Sequence, residues 1–343
     1  ELVSEIHRDR VAVVINGNAK DVTRELVDIL DQIVASGDLF VSRSLEEGRE
    51  IARDIVARGY QTVLTGGGDG TFSQMVTAVV RGCREQGRPL PRFGLLRLGT
   101  GNALAWVLGA QKHHRGVVAD LGRLRREGGH RNLRLLEVEG TLAPFAGVGV
   151  DALALRHFNE VRDLVAKIPV VGRYGRGRFS YFVAIAGRTL PEVLVRSHAH
   201  MRVVNDGEDA YRVGPNGQPE GAPIKRGEVL FEGLARAVTF SSIPYWGFGS
   251  RIFPFADDRE DRFNLRIVNL ESMDVALHIR SIWNGTFRTP RLVDFLVDAV
   301  RIESEEILPV QIGGDAAGTS RCIHARLYPE PIAVVDFYAP PPV

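Results

Sequence analysis

The sequence lacks the features that mark membrane-spanning, secreted and nucleic-acid-binding proteins. No apolar run approaches the ~18 residues that a bilayer-spanning helix needs, and the opening ELVSEIHRDR does not follow the pattern of a signal peptide. The formal net charge is only +1, whereas nucleic-acid-binding proteins usually have a clear basic excess. The only cysteines are Cys83 and Cys322, with no CxxC pair, which argues against a disulfide framework or a zinc knuckle. These absences favour a cytoplasmic protein without a nucleic-acid partner, whose contact with any membrane is peripheral.

The order of patterns along the chain predicts two domains, as a length of 343 residues suggests. Over the first third, continuous apolar runs alternate with segments whose apolar residues recur at helical spacing. The apolar runs lie at 10–16, 38–42, 60–65 and 92–98. After the second run, Ser44 and Glu47 form a capping-box pattern that opens a helix. This alternation predicts a parallel sheet covered by helices, and therefore a doubly wound, Rossmann-like α/β domain over residues 1–130.

After about residue 130 the pattern changes to short β-rich runs separated by turn residues. The change predicts a second domain over residues 131–319, an antiparallel β-rich sandwich. A helical pattern at roughly 153–190 interrupts it. The C-terminal tail, about 320–343, is a candidate to return to the first domain.

The stretch LTGGGDGTFSQM, residues 64–75, places four glycines and one carboxylate in a turn after a predicted strand. Ligands of an open parallel sheet bind beyond the carboxyl ends of its strands, and glycines with free helix N–H groups favour a phosphate there. A carboxylate at Asp69 would repel that phosphate by about 4 kcal/mol per unit pair at ~4 Å and an effective dielectric near 20. A divalent cation between the two, or a base that accepts a proton from an attacking hydroxyl, removes the conflict, and both belong to phosphoryl transfer. The alternative is that Asp69 only caps the helix that begins near Thr71.

Two further strand ends carry similar residues. RLGTGNALA (97–105) again follows a predicted strand and opens a helix, and INGNAK (15–20) follows the first strand. We expect the three loops to converge on one crevice and to bind a nucleotide there. The candidate nucleotide-binding residues are Asn16, Gly17, Asn18, Lys20, Thr65, Gly66, Gly67, Gly68, Gly70, Thr71, Gly99, Thr100, Gly101 and Asn102.

The pairing of GGDGT (67–71) with LGTGN (98–102) resembles the catalytic domain of diacylglycerol kinases, a family that includes sphingosine kinases, ceramide kinases and bacterial lipid kinases. NGNAK (16–20) stands where the family has a nucleotide loop with proline in place of glycine. GVGVDA (147–152) is similar to the segment that opens the family's second domain, which implies that its Asp151 lies near the acceptor lipid. YWGFGSRIFPFADDRED (245–261) resembles a Gly-rich, Pro-x-Ala segment followed by acidic residues. The resemblance implies ATP as donor, Mg²⁺, a lipid hydroxyl as acceptor, and a fold shared with NAD kinases.

One late strand departs from the family pattern. Where the family has Asp-Gly-Glu, the stretch LPVQIGGDAAGT (308–319) places Gly313 and Asp315. We predict that Asp315 and Asp69 are the catalytic carboxylates and the ligands of Mg²⁺. The alternatives are that Asp69 does the acid–base work alone, or that activity is weak or absent. A literal Asp-Gly-Glu at Asp206–Glu208 stands between two β-like runs and fits a hairpin turn instead.

Two more segments are candidates for contact with a membrane or a metal. KIPVVGRYGRGRFSYF (167–182) interleaves basic and aromatic residues, as segments that rest on an anionic bilayer do. In the acidic run after Pro254, Asp258 and Asp261 are further candidates for ligands of a structural Mg²⁺. For both segments the alternative is a solvated loop.

Together these features predict an ATP- and Mg²⁺-dependent lipid kinase that is cytoplasmic and peripherally membrane-associated. Its acceptor would be diacylglycerol, ceramide or a sphingoid base, and its oligomeric state stays open, with a homodimer among the options. Two alternatives remain. The first is an NAD kinase, against which LGTGN and the lack of an Asn-Glu pair soon after it argue. The second is a catalytically silent lipid- or nucleotide-binding protein, which Gly313 suggests.

Overall fold

The computed structural model describes residues 10–19, 22–34, 38–99, 102–111, 113–127, 129–149 and 198–337. Within these ranges the chain forms two sheets, each with a buried apolar core of its own. None of the helices there is both long and apolar enough to cross a bilayer.

In chain order the strands are β1 (Val11–Asn16), β2 (Leu39–Ser42), β3 (Thr62–Gly67), β4 (Arg92–Arg97), β5 (Gly129–Leu133), β6 (Leu136–Val138), β7 (Thr141–Ala143), β8 (Phe145–Gly149), β9 (Ala199–Asn205), β10 (Ala210–Val213), β11 (Pro219–Ile224), β12 (Val229–Ala235), β13 (Ala237–Ser241), β14 (Phe263–Val268), β15 (Leu292–Val297), β16 (Ala299–Ile312), β17 (Asp315–Leu327) and β18 (Ile332–Asp336). The α-helices are α1 (Arg24–Ile33), α2 (Leu45–Arg58), α3 (Asp69–Glu85), α4 (Ala103–Val107), α5 (His113–Glu127) and α6 (Ser272–Trp283).

Local sequence accounts for the helices and strands of the first domain. In β1 the four central residues are all buried, as the continuous apolar run predicted for a parallel strand with both faces covered. Ser44 caps α2, with its hydroxyl accepting from the Glu47 N–H at 3.1 Å. The Glu47 carboxylate accepts from the Arg43 N–H at 2.6 Å, one residue before the position that a standard capping box uses. The helix ends at Gly59, whose φ of 65° is left-handed.

The first sheet contains, among the described residues, six strands in the order β2-β1-β3-β4-β18-β5. The pairs among β1 to β4 are parallel, and so is the pair of β4 with β18, whereas β5 runs antiparallel to β18. The chain therefore crosses back, after the whole second domain, to insert Ile332–Asp336 into the first sheet. Because β1, β3 and β4 are parallel neighbours, their carboxyl ends lie side by side.

The second sheet is antiparallel, and its described strands follow the order β11-β10-β15-β14-β13-β8-β16-β17-β6-β7, with β9 on β16 and β12 on β9. The predicted fold class, a doubly wound α/β domain followed by an antiparallel β-rich domain, is confirmed. Asp206–Glu208 does form a turn, between β9 and β10. It is not a hairpin turn, because neither of these strands pairs with the other.

One segment of the second half packs on the core of the first domain. Ile243, Phe253 and Ala256 are buried in the same apolar cluster as the strands of the first sheet. A buried ion pair lies beneath this segment: Arg266 contacts the Asp294 carboxylate through two nitrogens, at 2.8 and 2.9 Å, and also donates to the Ile252 carbonyl. The two domains are thus joined by apolar packing as well as by the chain.

Candidate active site

The loop after β1 is tied to both neighbouring strand ends. The Asn16 side-chain amide donates to the Thr71 hydroxyl at 3.1 Å, which joins this loop to the glycine turn after β3. On the other side, the Gly17 N–H donates to the Ser42 carbonyl at 2.8 Å, and the Asn18 side-chain amide donates to the Arg43 carbonyl at 2.7 Å. The predicted first nucleotide loop is therefore held rigidly at the sheet edge, with Asn16 as its link to the glycine turn.

The glycine turn after β3 lies directly against the loop after β4. A Cβ atom at Gly99 would lie only 2.6 Å from Gly68 Cα and 2.7 Å from the Gly67 carbonyl oxygen. A Cβ atom at Gly67 would lie 2.5 Å from the Thr71 hydroxyl. The contact of backbone with backbone at Gly99 requires glycine, because a side chain there would separate the two loops, whereas a side chain at Gly67 would collide with Thr71 of the same turn.

Asn102, in the loop after β4, stabilises the loop at Gly99, where the two loops touch. Its backbone is left-handed with φ 42°, its side chain is 1% exposed, and its amide N–H donates to the Gly99 carbonyl at 3.0 Å. Within the part of the chain that the structure describes, the side-chain oxygen of Asn102 has no hydrogen-bond partner although it is buried. A buried acceptor without a donor costs free energy, and a bound ligand that donates a hydrogen bond would remove that cost.

Asp69 is the first residue of α3, but its side chain caps a different helix. Its two carboxylate oxygens accept from the Ala103 N–H at 2.7 Å and the Leu104 N–H at 3.0 Å, the first two amides of α4. Gly68 is the N-cap of α3 and makes no side-chain cap bond. The alternative that Asp69 caps the helix near Thr71 is therefore wrong, because the carboxylate instead joins the glycine turn to the loop after β4.

The environment of Asp69 shifts its acidity towards neutral pH. The side chain is 7% exposed. Burial raises its pKa to about 6, the nearby Asp315 carboxylate adds to the rise, and the two backbone N–H groups of α4 oppose it. Asp69 can therefore change its protonation state near physiological pH.

Asp315 reaches the same place from the second domain. It follows the tight β16–β17 turn, in which Gly313 and Gly314 are left-handed with φ 60° and 88°. Its carboxylate lies on the surface of Gly70, where a Cβ atom would come within 2.1 Å of Oδ2. Its Oδ2 also accepts from the Gln74 side-chain amide at 2.8 Å. Burial of the carboxylate against α3 raises the pKa of Asp315, and the bond from Gln74 lowers it.

The two carboxylates predicted from distant parts of the sequence thus meet at the N-terminus of α3. Asp315 is exposed to solvent on one side, whereas Asp69 is enclosed. The pair lies beside the loops after β1, β3 and β4, at the boundary between the two domains. Oxygen ligands of this kind suit Mg²⁺.

Other predicted site residues have different surroundings. The Thr65 hydroxyl donates to the Gly94 carbonyl at 3.2 Å and is fully buried, so it bonds within the sheet. Gly66 faces the core, since a Cβ atom there would lie 2.4 Å from Ile15 Cδ1 and 2.9 Å from Leu98 Cδ1. These two residues stabilise β3 rather than line the crevice.

The acidic run after Pro254 is engaged with arginines. Asp261 accepts from Arg259 and from Arg262, each at 3.0 Å. Asp258 is held partly out of water, and this burial, with Asp257 beside it, raises its pKa. The described residues contain no group of three or more His, Cys, Asp or Glu side chains arranged to hold a metal. The structural Mg²⁺ site at Asp258 and Asp261 stays a prediction, and Asp261 would have to exchange its arginine partners for the ion.

Some predictions lie outside the described residues. They concern Lys20, Thr100, Gly101, Asp151, the helical pattern at 153–190 and the basic aromatic segment at 167–182.

The sequence analysis missed two residues of this site, Ser73 and Gln74. They lie four and five residues after Asp69 on α3, and Gln74 is one helical turn beyond Gly70. That spacing places Gln74 on the same face as Gly70. It could have drawn attention to Gln74 only if the position of the β16–β17 turn had been known.

Residues 10–135 match the diacylglycerol kinase catalytic domain. The resemblance to the diacylglycerol kinase family is confirmed. Among curated proteins, a probable lipid kinase YegS-like from Pseudomonas aeruginosa is 30% identical over 137 residues, which are 39% of this chain and 42% of that protein. A protein of the same description from Xanthomonas campestris is 32% identical over 95 residues, 27% of this chain and 30% of its own length. The chain thus matches less than half of the length of these relatives.

The likeness of fold extends further along the chain than the likeness of sequence. A crystal structure of a diacylglycerol kinase from Bacillus anthracis aligns with a TM-score of 0.60 over 96% of this chain and 97% of its own, at 14% identity. The glycine turn and the loop after β4 lie inside the segment that matches the family, whereas Asp315 lies beyond it. The described geometry alone therefore brings Asp315 to the site.

Proposed function

We propose that this protein transfers the γ-phosphate of ATP to the hydroxyl group of a lipid. One observation carries the proposal: two carboxylates from different domains, both with raised pKa, meet beside three strand-end loops at the start of a helix. The curated relatives that match part of this chain are described as probable lipid kinases. This geometry suits phosphoryl transfer, in which the protein positions two reactants and balances charge.

The three loops suit a nucleotide phosphate chain. At Gly68 a Cβ atom would meet only Asn102 Oδ1, at 4.0 Å, so the backbone there is open to a ligand. The helix α3 begins at the next residue, and its N-terminal N–H groups favour an anion. Asp69 and Asp315 would hold Mg²⁺, because both supply carboxylate oxygens. When bound, that ion would neutralise the repulsion between these carboxylates and the phosphates.

Asp315 is the better candidate for the base. Both oxygens of Asp69 already accept backbone N–H bonds, whereas only Oδ2 of Asp315 has a donor among the described residues. The acceptor hydroxyl would pass its proton to Asp315 as its oxygen bonds to the γ-phosphorus. The bond from that phosphorus to the β–γ bridging oxygen breaks, and ADP leaves. The lipid phosphate and ADP are then the products.

The acceptor is a lipid by analogy with the relatives, and diacylglycerol, ceramide and sphingoid bases are the candidates. Such acceptors reside in membranes, so we expect the protein to work at a membrane surface from the cytoplasmic side. The β-rich domain would hold the acyl chains across the crevice from the nucleotide.

The test compares wild type with Asp315→Asn in an assay that uses labelled ATP and a panel of diacylglycerol, ceramide, sphingosine, undecaprenol and NAD. Asparagine can still accept the bond from Gln74, so the substitution removes charge and little else. We expect kcat to fall by about 10²-fold or more, the usual contribution of a general base. Asp69→Asn is a poorer test, because it also places an amide against the N–H groups of α4.

Asp209→Asn is the matched control. Asp209 is a second-domain aspartate that bonds to Lys225, away from the crevice, and its substitution should leave kcat unchanged. Phosphorylation of NAD alone would instead indicate an NAD kinase. Nucleotide binding without any phosphorylated product would indicate a silent binding protein, and either result would overturn the proposal.

A further inference from the structure

Three residues on one face of α3 contact the β16–β17 turn of the second domain. Gly70, Ser73 and Gln74 follow the spacing i, i+3 and i+4, so they lie on one face of the helix. The Asp315 carboxylate covers Gly70, and the Gln74 amide bonds to that carboxylate. The helix therefore provides both the space for the Asp315 side chain, at Gly70, and a hydrogen-bond donor to it, at Gln74.

Ser73 excludes a side chain at Gly313, the first glycine of the β16–β17 turn. A Cβ atom at Gly313 would lie 2.4 Å from the Ser73 hydroxyl oxygen and 3.0 Å from Ser73 Cβ. Ser73 is 1% exposed, and its hydroxyl donates to the Asp69 carbonyl at 2.8 Å, so it is not free to move away. The first position of the turn thus has no room for a side chain, and Asp315 is the turn's one carboxylate at α3.

Gln74 can hydrogen-bond to the Asp315 carboxylate without neutralising its charge, because its side-chain amide is an uncharged donor. A lysine or arginine at this place would pair with Asp315 and lower its basicity strongly. A carboxylate would repel it. A neutral amide donor fixes the orientation of the carboxylate and favours its ionised form only modestly, against the burial that raises its pKa.

Gln74 differs in this respect from the other contacts between α3 and the second domain. The Thr77 hydroxyl accepts from the Leu142 N–H at 2.8 Å, and the Arg81 guanidinium donates to the Gly140 carbonyl at 3.3 Å. Both bonds are to backbone and hold the helix on β7 and its turn. The bond from Gln74 is to the side chain of Asp315, across 241 positions of sequence.

We propose that Gln74 is a positioning residue, which orients the Asp315 carboxylate on Gly70 for proton transfer. The inference rests on the proposed function for its kinetic consequence, but the position of the Asp315 side chain can also be measured without catalysis.

The kinetic experiment compares Gln74→Ala and Gln74→Glu with wild type in the full-length protein. We expect Gln74→Ala to lower kcat about tenfold, with KM for ATP within twofold of wild type. Gln74→Glu, whose carboxylate repels Asp315 instead of donating to it, should lower kcat at least as far.

Arg81→Ala is the matched control, because it removes a contact between the same helix and the same domain without touching Asp315. It should lower the melting temperature slightly and leave kcat in place. If Gln74→Ala left kcat unchanged, or changed KM for ATP as much as kcat, Gln74 would be a docking residue and the inference would be wrong.

A second measurement separates this inference from the proposed function. Crystal structures of wild type and of Gln74→Ala report the position of the Asp315 carboxylate directly. The carboxylate should lie against Gly70 in wild type and leave that place in Gln74→Ala, even if no acceptor lipid is phosphorylated. The same position in the two proteins would overturn the inference, and a wild type without kinase activity would overturn only the proposed function.

Discussion

Substitution of Gly70 by alanine should lower kcat while it leaves the melting temperature nearly unchanged. Gly70 is the second residue of α3, where alanine has a helix propensity more favourable by up to about 1 kcal/mol. The new methyl group, however, would lie 2.1 Å from Asp315 Oδ2 and 2.3 Å from its carboxyl carbon. A carbon and an oxygen that are not bonded come no closer than about 3 Å, so the carboxylate must retreat by roughly 1 Å.

That displacement determines the expected loss of activity. A misplacement of about 1 Å in a reacting group can cost about 10²-fold in rate, and we expect kcat of Gly70→Ala to fall by that factor. The gain in helix propensity stabilises the fold, whereas weakening the hydrogen bond from Gln74 to Asp315 costs about 1.5 kcal/mol. The two contributions to the free energy of unfolding nearly cancel. The melting temperature should therefore change by only a few degrees.

The assay measures lipid phosphorylation with labelled ATP beside thermal unfolding of the same preparation. Gly48→Ala is the control, because Gly48 is also helical and a Cβ atom there would meet no atom within 4 Å. It should raise the melting temperature and leave kcat unaltered. A Gly70→Ala enzyme with the kcat of wild type would refute the argument that Asp315 must lie on that glycine.

Two further predictions concern the same pair of carboxylates. The value of kcat/KM should fall as the pH drops through about 6, because Asp69, whose burial raises its pKa to about 6, then becomes protonated; a flat pH profile from pH ~5 to ~8 would contradict this role. Gly313→Asp, which restores an aspartate that the family pattern has, should lower activity rather than raise it, since the side chain would meet Ser73 and require a left-handed aspartate that costs about 1 kcal/mol. Its kcat and melting temperature, measured beside those of wild type, decide the point, and an increase in kcat would show that Ser73 can move.

Local patterns were enough to predict the architecture of the first domain. The apolar run in β1 and the cap at Ser44 act through neighbours in sequence, so they appear in the structure at or near the predicted positions. The fold class followed from the alternation of such elements. The same patterns indicated three glycine loops at one edge of the sheet, because parallel strands end together.

The orientation of individual side chains needed the tertiary structure. Thr65 and Gly66 belong to the same glycine stretch as Gly67, yet they face into the sheet and the core. The crevice lies beyond the carboxyl end of β3, whose last residue is Gly67, and the sequence does not fix the residue at which the strand ends. The alternative that Asp69 caps its own helix also needed the structure to be rejected, because its carboxylate caps α4, which begins 34 positions later.

By itself, then, the sequence indicated two regions of different pattern and the order of strands and helices in the first of them. It also indicated which carboxylates were candidates for the site. These features depend on short-range spacing and composition. Only the tertiary structure decided that Asp69 and Asp315 meet, that Ser73 leaves no room for a side chain at Gly313, and that Gln74 holds Asp315. Contacts between residues more than two hundred positions apart depend on how two domains pack, and no local pattern specifies that packing.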